Sequence, residues 1–507
     1  MDSRYLLAAK AVLGLAAIAW LVFGHRLAER RRNRLLIALG IVSALAYPNF
    51  LTAHGNRFVH AWEQFHYVLG TKYFPELGYY GLYEAGFVAS RRIRPDQPMP
   101  TLLRDLRTGR LVSVADAWIR EDEVLAPFSR PRLESFEHDL GVMVDAMPEN
   151  QLIRILRDHG YNGTPTFTFV AQAVERVVPV TPVGLRVFAA VDLVLLALLF
   201  AAVGHVFGRT KLLLSLVVLG TGLTFDYLWN GGAFLRMDWL VATGLAVCAL
   251  ERRRTALAGA LFAYAAMVRL FPLLFAVAAA VPWVFALRSR EARKALSGYA
   301  LAFVATASLL FAAGATVGRG LSAWTEFGAR IRDHSATMLS NNVGLGAVVT
   351  VDTAVEQASD FDRASEDPWL RYAEAMNASA HARRPIVLVL ACLLLVVVVI
   401  AIRTMEPWRA AIHGAILVFG FTNPTCYYWI LLVLLPLAAP PSVIASTIAA
   451  LLVPAWFRFA GVNGDVPIYL TTSFAFLLVF AQWLASDLAR PRTGEGGEPP
   501  LSSPSPP

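Results

Sequence analysis

The chain has 507 residues, of which 56% are hydrophobic and 16% are charged, with a formal net charge of +8 and a mean hydropathy of +0.52. A soluble core cannot bury so much apolar surface, which excludes a soluble enzyme and favours a polytopic membrane protein. The basic residues lie in short clusters at the ends of apolar stretches. Membrane topology requires such clusters, so they do not indicate nucleic-acid binding.

The apolar stretches predict an all-α membrane protein with about 13 transmembrane helices. Placing every basic cluster in the cytoplasm puts the amino terminus outside and the carboxy terminus inside, in a multi-pass inner (plasma) membrane protein. The predicted spans lie near residues 5–24, 35–52, 183–207, 212–229, 237–250, 255–270, 271–287, 296–317, 385–402, 410–424, 428–440, 443–458 and 467–487.

Two long extracytoplasmic loops divide the predicted helices. Both loops contain charged and aromatic residues in helix-compatible patterns, unlike a disordered linker. The resulting regions are two N-terminal helices (1–52), a large loop (53–182), a group of helices (183–317), a second loop (318–384), the C-terminal helices (385–489) and a disordered cytoplasmic tail (490–507).

Residues 60–74, "HAWEQFHYVLGTKYF", open the first loop. At 100° per residue this stretch is an amphipathic helix suited to the membrane interface, with Glu63 on its polar face between His60 and His66. The cluster has three interpretations: a solvated face, a metal site, or a general base. The metal site is disfavoured because the two histidines lie about 120° apart around the helix. The base is favoured because a carboxylate at this surface suits transfer chemistry.

A second cluster of ionisable residues lies in residues 225–271, where Asp226, Arg236 and Asp238 border a glycine-containing loop and Arg269 ends an apolar run. Charged groups at membrane depth are costly and are usually paired or functional. Arg269 is therefore predicted to hold a phosphate, although snorkelling to the interface would explain it as well.

Further polar residues occur in both loops. Asp158 and His159 adjoin a Gly/Asn/Pro turn and are alternative bases, or turn and packing residues. Asn341 and Asn342 of the second loop suit sugar hydroxyls, and helix capping is an equal alternative.

The order of these features resembles the GT-C superfamily of polytopic glycosyltransferases, most closely its bacterial mannosyltransferase-like branch. The resemblance rests on the acidic residue beside aromatics in the first loop, on "AGALFAYAAMVRLFPLLF", and on the further spans and outer loop that follow. It implies a polyprenyl-phosphate sugar donor, a lipid or cell-envelope glycan acceptor, and a loop carboxylate that acts as base with inversion. That carboxylate is usually aspartate, whereas the nearest acidic residue here is Glu63.

Under this resemblance Glu63 is the expected base, with His60 or His66 adjusting its pKa or position. Arg236 and Arg269 are the first ligands expected for the donor phosphate, and Lys72 is the third. No nucleotide-binding glycine motif or paired-aspartate motif is visible, so no cofactor is required, and a divalent metal ion stays open. The expected partners are the donor, the acceptor and membrane lipids. A transporter or lipid flippase is the alternative from another class, and a non-catalytic scaffold is the third.

Overall fold

The computed structural model describes residues 3–351, 367–462 and 464–489. It confirms the all-α prediction: the chain is about 74% helical. Within the described residues the strands are Leu102–Arg104 and Leu111–Ser113, which pair antiparallel in one hairpin with Leu103 opposite Val112. The predicted tail, residues 490–507, lies outside the described residues.

Six described helices are long and apolar enough to cross a membrane, and a seventh span is formed if Arg209–Thr221 and Leu223–Asn230, bent by 65°, are one broken helix. Three shorter apolar helices accompany them: Thr255–Val268, Leu273–Phe285 and Cys426–Ala438. A membrane protein is therefore supported, and the count of thirteen spans stays a prediction. The six long spans are Arg4–Arg26, Pro182–Phe207, Arg290–Gly314, Tyr372–Ile402, Pro441–Phe459 and Asp465–Leu488.

The helix Pro182–Phe207 illustrates how the sequence sets a span. Proline occupies its first turn, where no amide hydrogen is needed, and the Thr181 hydroxyl accepts a hydrogen bond from the Gly184 amide. Gly208 ends the helix with a φ of +82°, which suits glycine. Outside residues 53–181, the remaining helices up to Glu251 are Glu29–Ala46, Tyr227–Asn230 and Asp238–Glu251, with 3₁₀ turns at Gly24–Arg26 and Leu223–Phe225.

Residues 53–181, called here the first-loop region, form a packed helical layer and not an open loop. Gln64 donates hydrogen bonds to the carbonyl oxygens of Leu185 and Gly232, and Thr164 donates to that of Met267, so the layer is fixed to membrane helices. Its helices are Ala61–Gln64, Gly70–Lys72, Phe74–Leu77, Leu82–Ile93, Val114–Ile119, Glu121–Leu125, Arg130–Asp145, Gln151–Ile155 and Pro165–Glu175, with a π-helical turn at Phe65–Leu69.

The prediction of an amphipathic interface helix over residues 60–74 is wrong. The π-helical turn breaks the 100° periodicity, and residues from both predicted faces are buried: Thr71 on one, Phe65 and Leu69 on the other. Neither face is left for lipid, so the segment lies in the protein interior.

The second predicted loop also ends earlier than expected. The helix Pro368–Ile402 begins inside residues 318–384, and Pro385 lies within it. The polar residues before Pro385 continue the membrane helix beyond its apolar part. The other helices of this half are Ser322–Ala336, Leu345–Thr350, Pro407–Ile412, Gly414–Phe421, Leu435–Ala438, Pro441–Leu451, Val453–Phe459 and Asp465–Leu488, with a 3₁₀ segment at Cys426–Leu434.

Candidate functional site

The first-loop region and the nearby helix ends enclose a cavity of about 680 Å³, called here the main cavity. A smaller pocket of about 290 Å³, the side groove, lies beside it and shares four lining residues with it. Leu270 and Phe421 in the side-groove wall are 53% and 40% exposed, so the groove has an apolar, outward-facing side. The shared residues are Asn162, His334, Leu339 and Thr425.

Glu63 and Arg236 lie together in the main cavity. Glu63 Oε2 is 3.0 Å from Arg236 Nε, with an angle outside hydrogen-bonding geometry. Arg236 is 3% exposed, and its Cζ lies 4.2 Å from the centroid of the Tyr67 ring. Arg236 Nη1 is buried and has no hydrogen-bond partner among the described residues. The predicted base is therefore engaged electrostatically, while the arginine keeps a donor for a ligand.

Arg269 lines the side groove and also lies near Tyr67. It is 7% exposed, which excludes snorkelling to the surface, and its Cζ lies 5.7 Å from the Tyr67 ring centroid. Within the described part of the chain its Nε and Nη2 are buried without a hydrogen-bond partner. Two buried guanidinium groups with unfilled donors therefore lie near one tyrosine, an arrangement suited to an anion.

Asp192 positions Arg236 and was not singled out in the sequence. Its carboxylate oxygens accept hydrogen bonds from the backbone amides of Arg236 and Met237, both at 3.0 Å. Asp192 is the one acidic residue of the apolar helix Pro182–Phe207. The rule that an intramembrane charge is paired or functional could have found it.

The segment around Asp158 is held by its backbone. The Arg104 amide donates a hydrogen bond to the Leu156 carbonyl oxygen, and its Nε donates to the Arg157 carbonyl oxygen at 2.8 Å. Gly160 adopts a φ of +73°, where an added Cβ would also lie 2.7 Å from Leu106. These contacts fix the direction in which Asp158 faces the main cavity.

The Asp158 carboxylate is more open than that of Glu63. Its side chain is 34% exposed, against 16% for Glu63, and its Oδ2 accepts a hydrogen bond from Trp62 Nε1 at 2.9 Å. Burial alone would raise the pKa of Asp158, but the nearby His66 and His159 and the bonds it accepts hold the pKa below its ordinary value. Asp158 is thus ionised at neutral pH and accessible.

His60 and His66 serve local structure. Burial lowers the pKa of His60 to about 4; its Nδ1 accepts from the Glu63 amide while its Nε2 donates to the Leu228 carbonyl oxygen. Burial also lowers the pKa of His66, which donates from Nδ1 to the Trp62 carbonyl oxygen and accepts from the Tyr83 hydroxyl at 2.7 Å. Because both rings use both nitrogens, the metal interpretation loses its ligands.

Three further residues selected from the sequence line the cavities. His159 and Asn341 lie in the main cavity, and burial lowers the pKa of His159. Asn342 lies in the side groove, where it donates to the Asn423 carbonyl oxygen at 2.7 Å and accepts from the Leu339 amide. Asn342 therefore holds the loop in place.

Three other selected residues line neither cavity. Lys72 lies 2.5 Å from Asp139 Oδ2, which removes it from the anion site. Asp226 pairs with Lys10 and caps the helix Tyr227–Asn230. Asp238 accepts a hydrogen bond from the Tyr264 hydroxyl at 2.9 Å. These three polar residues therefore form structural pairs and do not belong to the candidate site.

Searches against family models, curated proteins and solved structures found no match to this chain. Function is therefore inferred from the two cavities and the residues that line them.

Proposed function

We propose that the protein is a membrane glycosyltransferase that moves a sugar from a polyprenyl-phosphate donor to a lipid or glycan acceptor on the extracytoplasmic side. The observation that carries this proposal is the pair of buried arginines with unfilled donors, Arg236 and Arg269, between an accessible carboxylate and an apolar groove. A phosphate bearing both a sugar and a lipid chain matches all three parts.

The donor lies across the two cavities in this proposal. Its prenyl chain follows the side groove past Leu270 and Phe421, and its phosphate faces Arg269 and Arg236. The sugar enters the main cavity, whose volume of about 680 Å³ also leaves room for an acceptor. The phosphate leaves with added negative charge, which the arginines stabilise.

Asp158 is the base in this proposal, and Glu63 is a positioning residue for Arg236. The acceptor hydroxyl loses its proton to the Asp158 carboxylate while its oxygen forms a bond to the anomeric carbon. The bond from that carbon to the phosphate oxygen breaks, and its electron pair goes to the departing phosphate. Attack opposite the leaving group inverts the anomeric centre.

The test is to incubate purified protein with radiolabelled polyprenyl-phosphate sugars and a lipid extract, and to measure transfer. We expect Asp158→Asn to lower the turnover number by at least about 100-fold, because a general base is lost. Glu63→Gln should act mainly on donor affinity. Glu134→Gln, at a surface carboxylate 64% exposed, is the matched control.

Two results would count against these assignments. A larger loss of turnover in Glu63→Gln than in Asp158→Asn would make Glu63 the base. Absence of transfer from every donor, together with movement of an intact lipid across the bilayer of proteoliposomes, would favour the flippase alternative.

A further inference from the structure

Two arginines on the wall of the main cavity are not used by the donor. Arg154, in the helix Gln151–Ile155, and Arg157, which follows it, are three residues apart and both line the cavity. Residues at this spacing share one side of a helical turn, so the two positive charges face the same space.

These arginines lack the partners that the other cavity arginines have. Arg104 pairs with Asp367 at 2.9 Å and Arg236 pairs with Glu63. Within the described residues, neither Arg154 nor Arg157 forms an ion pair; Arg154 is exposed, whereas Arg157 Nε is buried without a hydrogen-bond partner. A buried, unfilled guanidinium donor is costly unless a ligand completes it.

The charge on this wall does not depend on histidine. Burial lowers the pKa of His334, another lining residue, to about 4, and His159 is shifted in the same direction. The imidazoles are neutral at physiological pH, so the arginines supply the positive charge of this wall.

Asp158 lines the same cavity as this wall and Arg236. It follows Arg157 in the chain, and its carboxylate is bonded to Trp62, the neighbour of Glu63, which in turn faces Arg236. An anion on Arg154 and Arg157 would therefore bring an attached hydroxyl close to Asp158.

We infer that the acceptor carries an anionic group, a phosphate or a carboxylate, which binds Arg154 and Arg157. This inference names the acceptor class of the main cavity and rests on the proposed function. A guanidinium fork suits either anion, since both present two oxygens in one plane.

Binding measurements test the anion site without sugar transfer. The protein is placed in phosphatidylcholine nanodiscs, and calorimetry compares octyl glucoside with octyl glucoside 6-phosphate and octyl glucuronide. We expect the anionic probes to bind at least about tenfold more tightly, and Arg154→Gln/Arg157→Gln to remove that preference. Equal binding of neutral and anionic probes to the unmodified protein would overturn the inference.

A matched variant separates local from general charge effects. Arg130→Gln/Arg176→Gln removes the same net charge at exposed positions outside both cavities and should leave the preference unchanged. An equal loss in both double variants would also overturn the inference. Arg154→Lys/Arg157→Lys should recover part of the affinity, which excludes misfolding as the cause.

Two further arms identify the source of the anion and its link to function. Displacement of the phosphate probe by phosphatidylglycerol in the nanodisc would assign the anion to a lipid headgroup, and no displacement to a soluble glycan. In transfer assays the glutamine double variant should raise the acceptor KM and keep kcat. Selective anion binding without transfer from any donor would refute the proposed function and retain the anion site.

Discussion

Two buried cationic sites in this protein differ in how fully their hydrogen bonds are made. Lys10, 2% exposed, lies 2.7 Å from Asn49 Oδ1 and 2.5 Å from Asp226 Oδ2. Arg269 is also buried, but its Nε and Nη2 have no hydrogen-bond partner among the described residues. Burial is common to both groups, and they differ in the number of unfilled donors, which is the basis for proposing that Arg269 binds a ligand.

The largest expected effect is on the complete site. Lys10→Met leaves Asp226 without its cation, and we expect it to lower the free energy of unfolding by about 3–5 kcal/mol. Unfolding in detergent micelles measures this loss. Lys10→Met/Asp226→Asn should recover much of the stability, because asparagine keeps the helix cap without the charge; no recovery would show that the ion pair is not the cause.

Arg269→Gln should lower activity and not stability, in contrast to Lys10→Met. We expect donor-dependent transfer to fall by about 100- to 1,000-fold, because one of the positive charges that stabilise the leaving phosphate is lost. Stability should stay unchanged or rise, since unfilled donors are removed from the interior. The two measurements are made on one preparation, with Arg269→Lys as the charge-retaining control. A loss of stability like that of Lys10→Met would make Arg269 a structural residue.

Glu175 is a third buried ionisable group, and its burial favours the neutral form. Thr71 Oγ1 lies 2.6 Å from the Tyr67 carbonyl oxygen, which can only accept, so the hydroxyl donates there. The same hydroxyl is shared with Glu175 Oε1, to which it donates at 2.5 Å. Burial raises the pKa of Glu175 from 4.5 to about 8 and outweighs the Thr71 hydrogen bond, which acts to lower it.

The raised pKa of Glu175 predicts a smaller, pH-dependent effect. Between the unfolded pKa and about 8, the folded state holds a proton that the unfolded state has lost. The contribution of Glu175 to stability therefore falls as pH rises, by up to about 1.4 kcal/mol per unit, and levels off above that range. Unfolding measured from pH 5 to 9 should show this slope in the unmodified protein but not in Glu175→Gln. Equal slopes would contradict it.

The sequence predicted the class of the fold and the residue types of the site, but not their pairing. Hydropathy and charge identified membrane helices, and the cost of intramembrane charge identified Arg236 and Arg269. The same rule also selected Asp226, which forms a structural ion pair with Lys10. The sequence could not show this pair, because its two residues are far apart in the chain.

Residues 60–74 show a different limit. Their regular periodicity predicted a two-faced helix, yet the π-helical turn at Phe65–Leu69 changes the register and brings Tyr67 to the arginines. Such turns are rare and often occur at functional sites, and they have no clear sequence signal. Asp158 and Asn162 meet the same segment through folding of the first-loop region.

The π-helical turn also makes this segment sensitive to chain length. A π turn contains one residue more than the α-helical turn that would replace it, and each residue turns a helix by about 100°. Deleting one residue between Phe65 and Leu69 would leave a regular helix, but would rotate the residues before the deletion relative to those after it. The present contacts of Trp62 and Glu63, before the deletion, and those of Thr71 and Tyr73, after it, could then not form at the same time. Loss of one residue in this turn would therefore keep the helix but disrupt the candidate site.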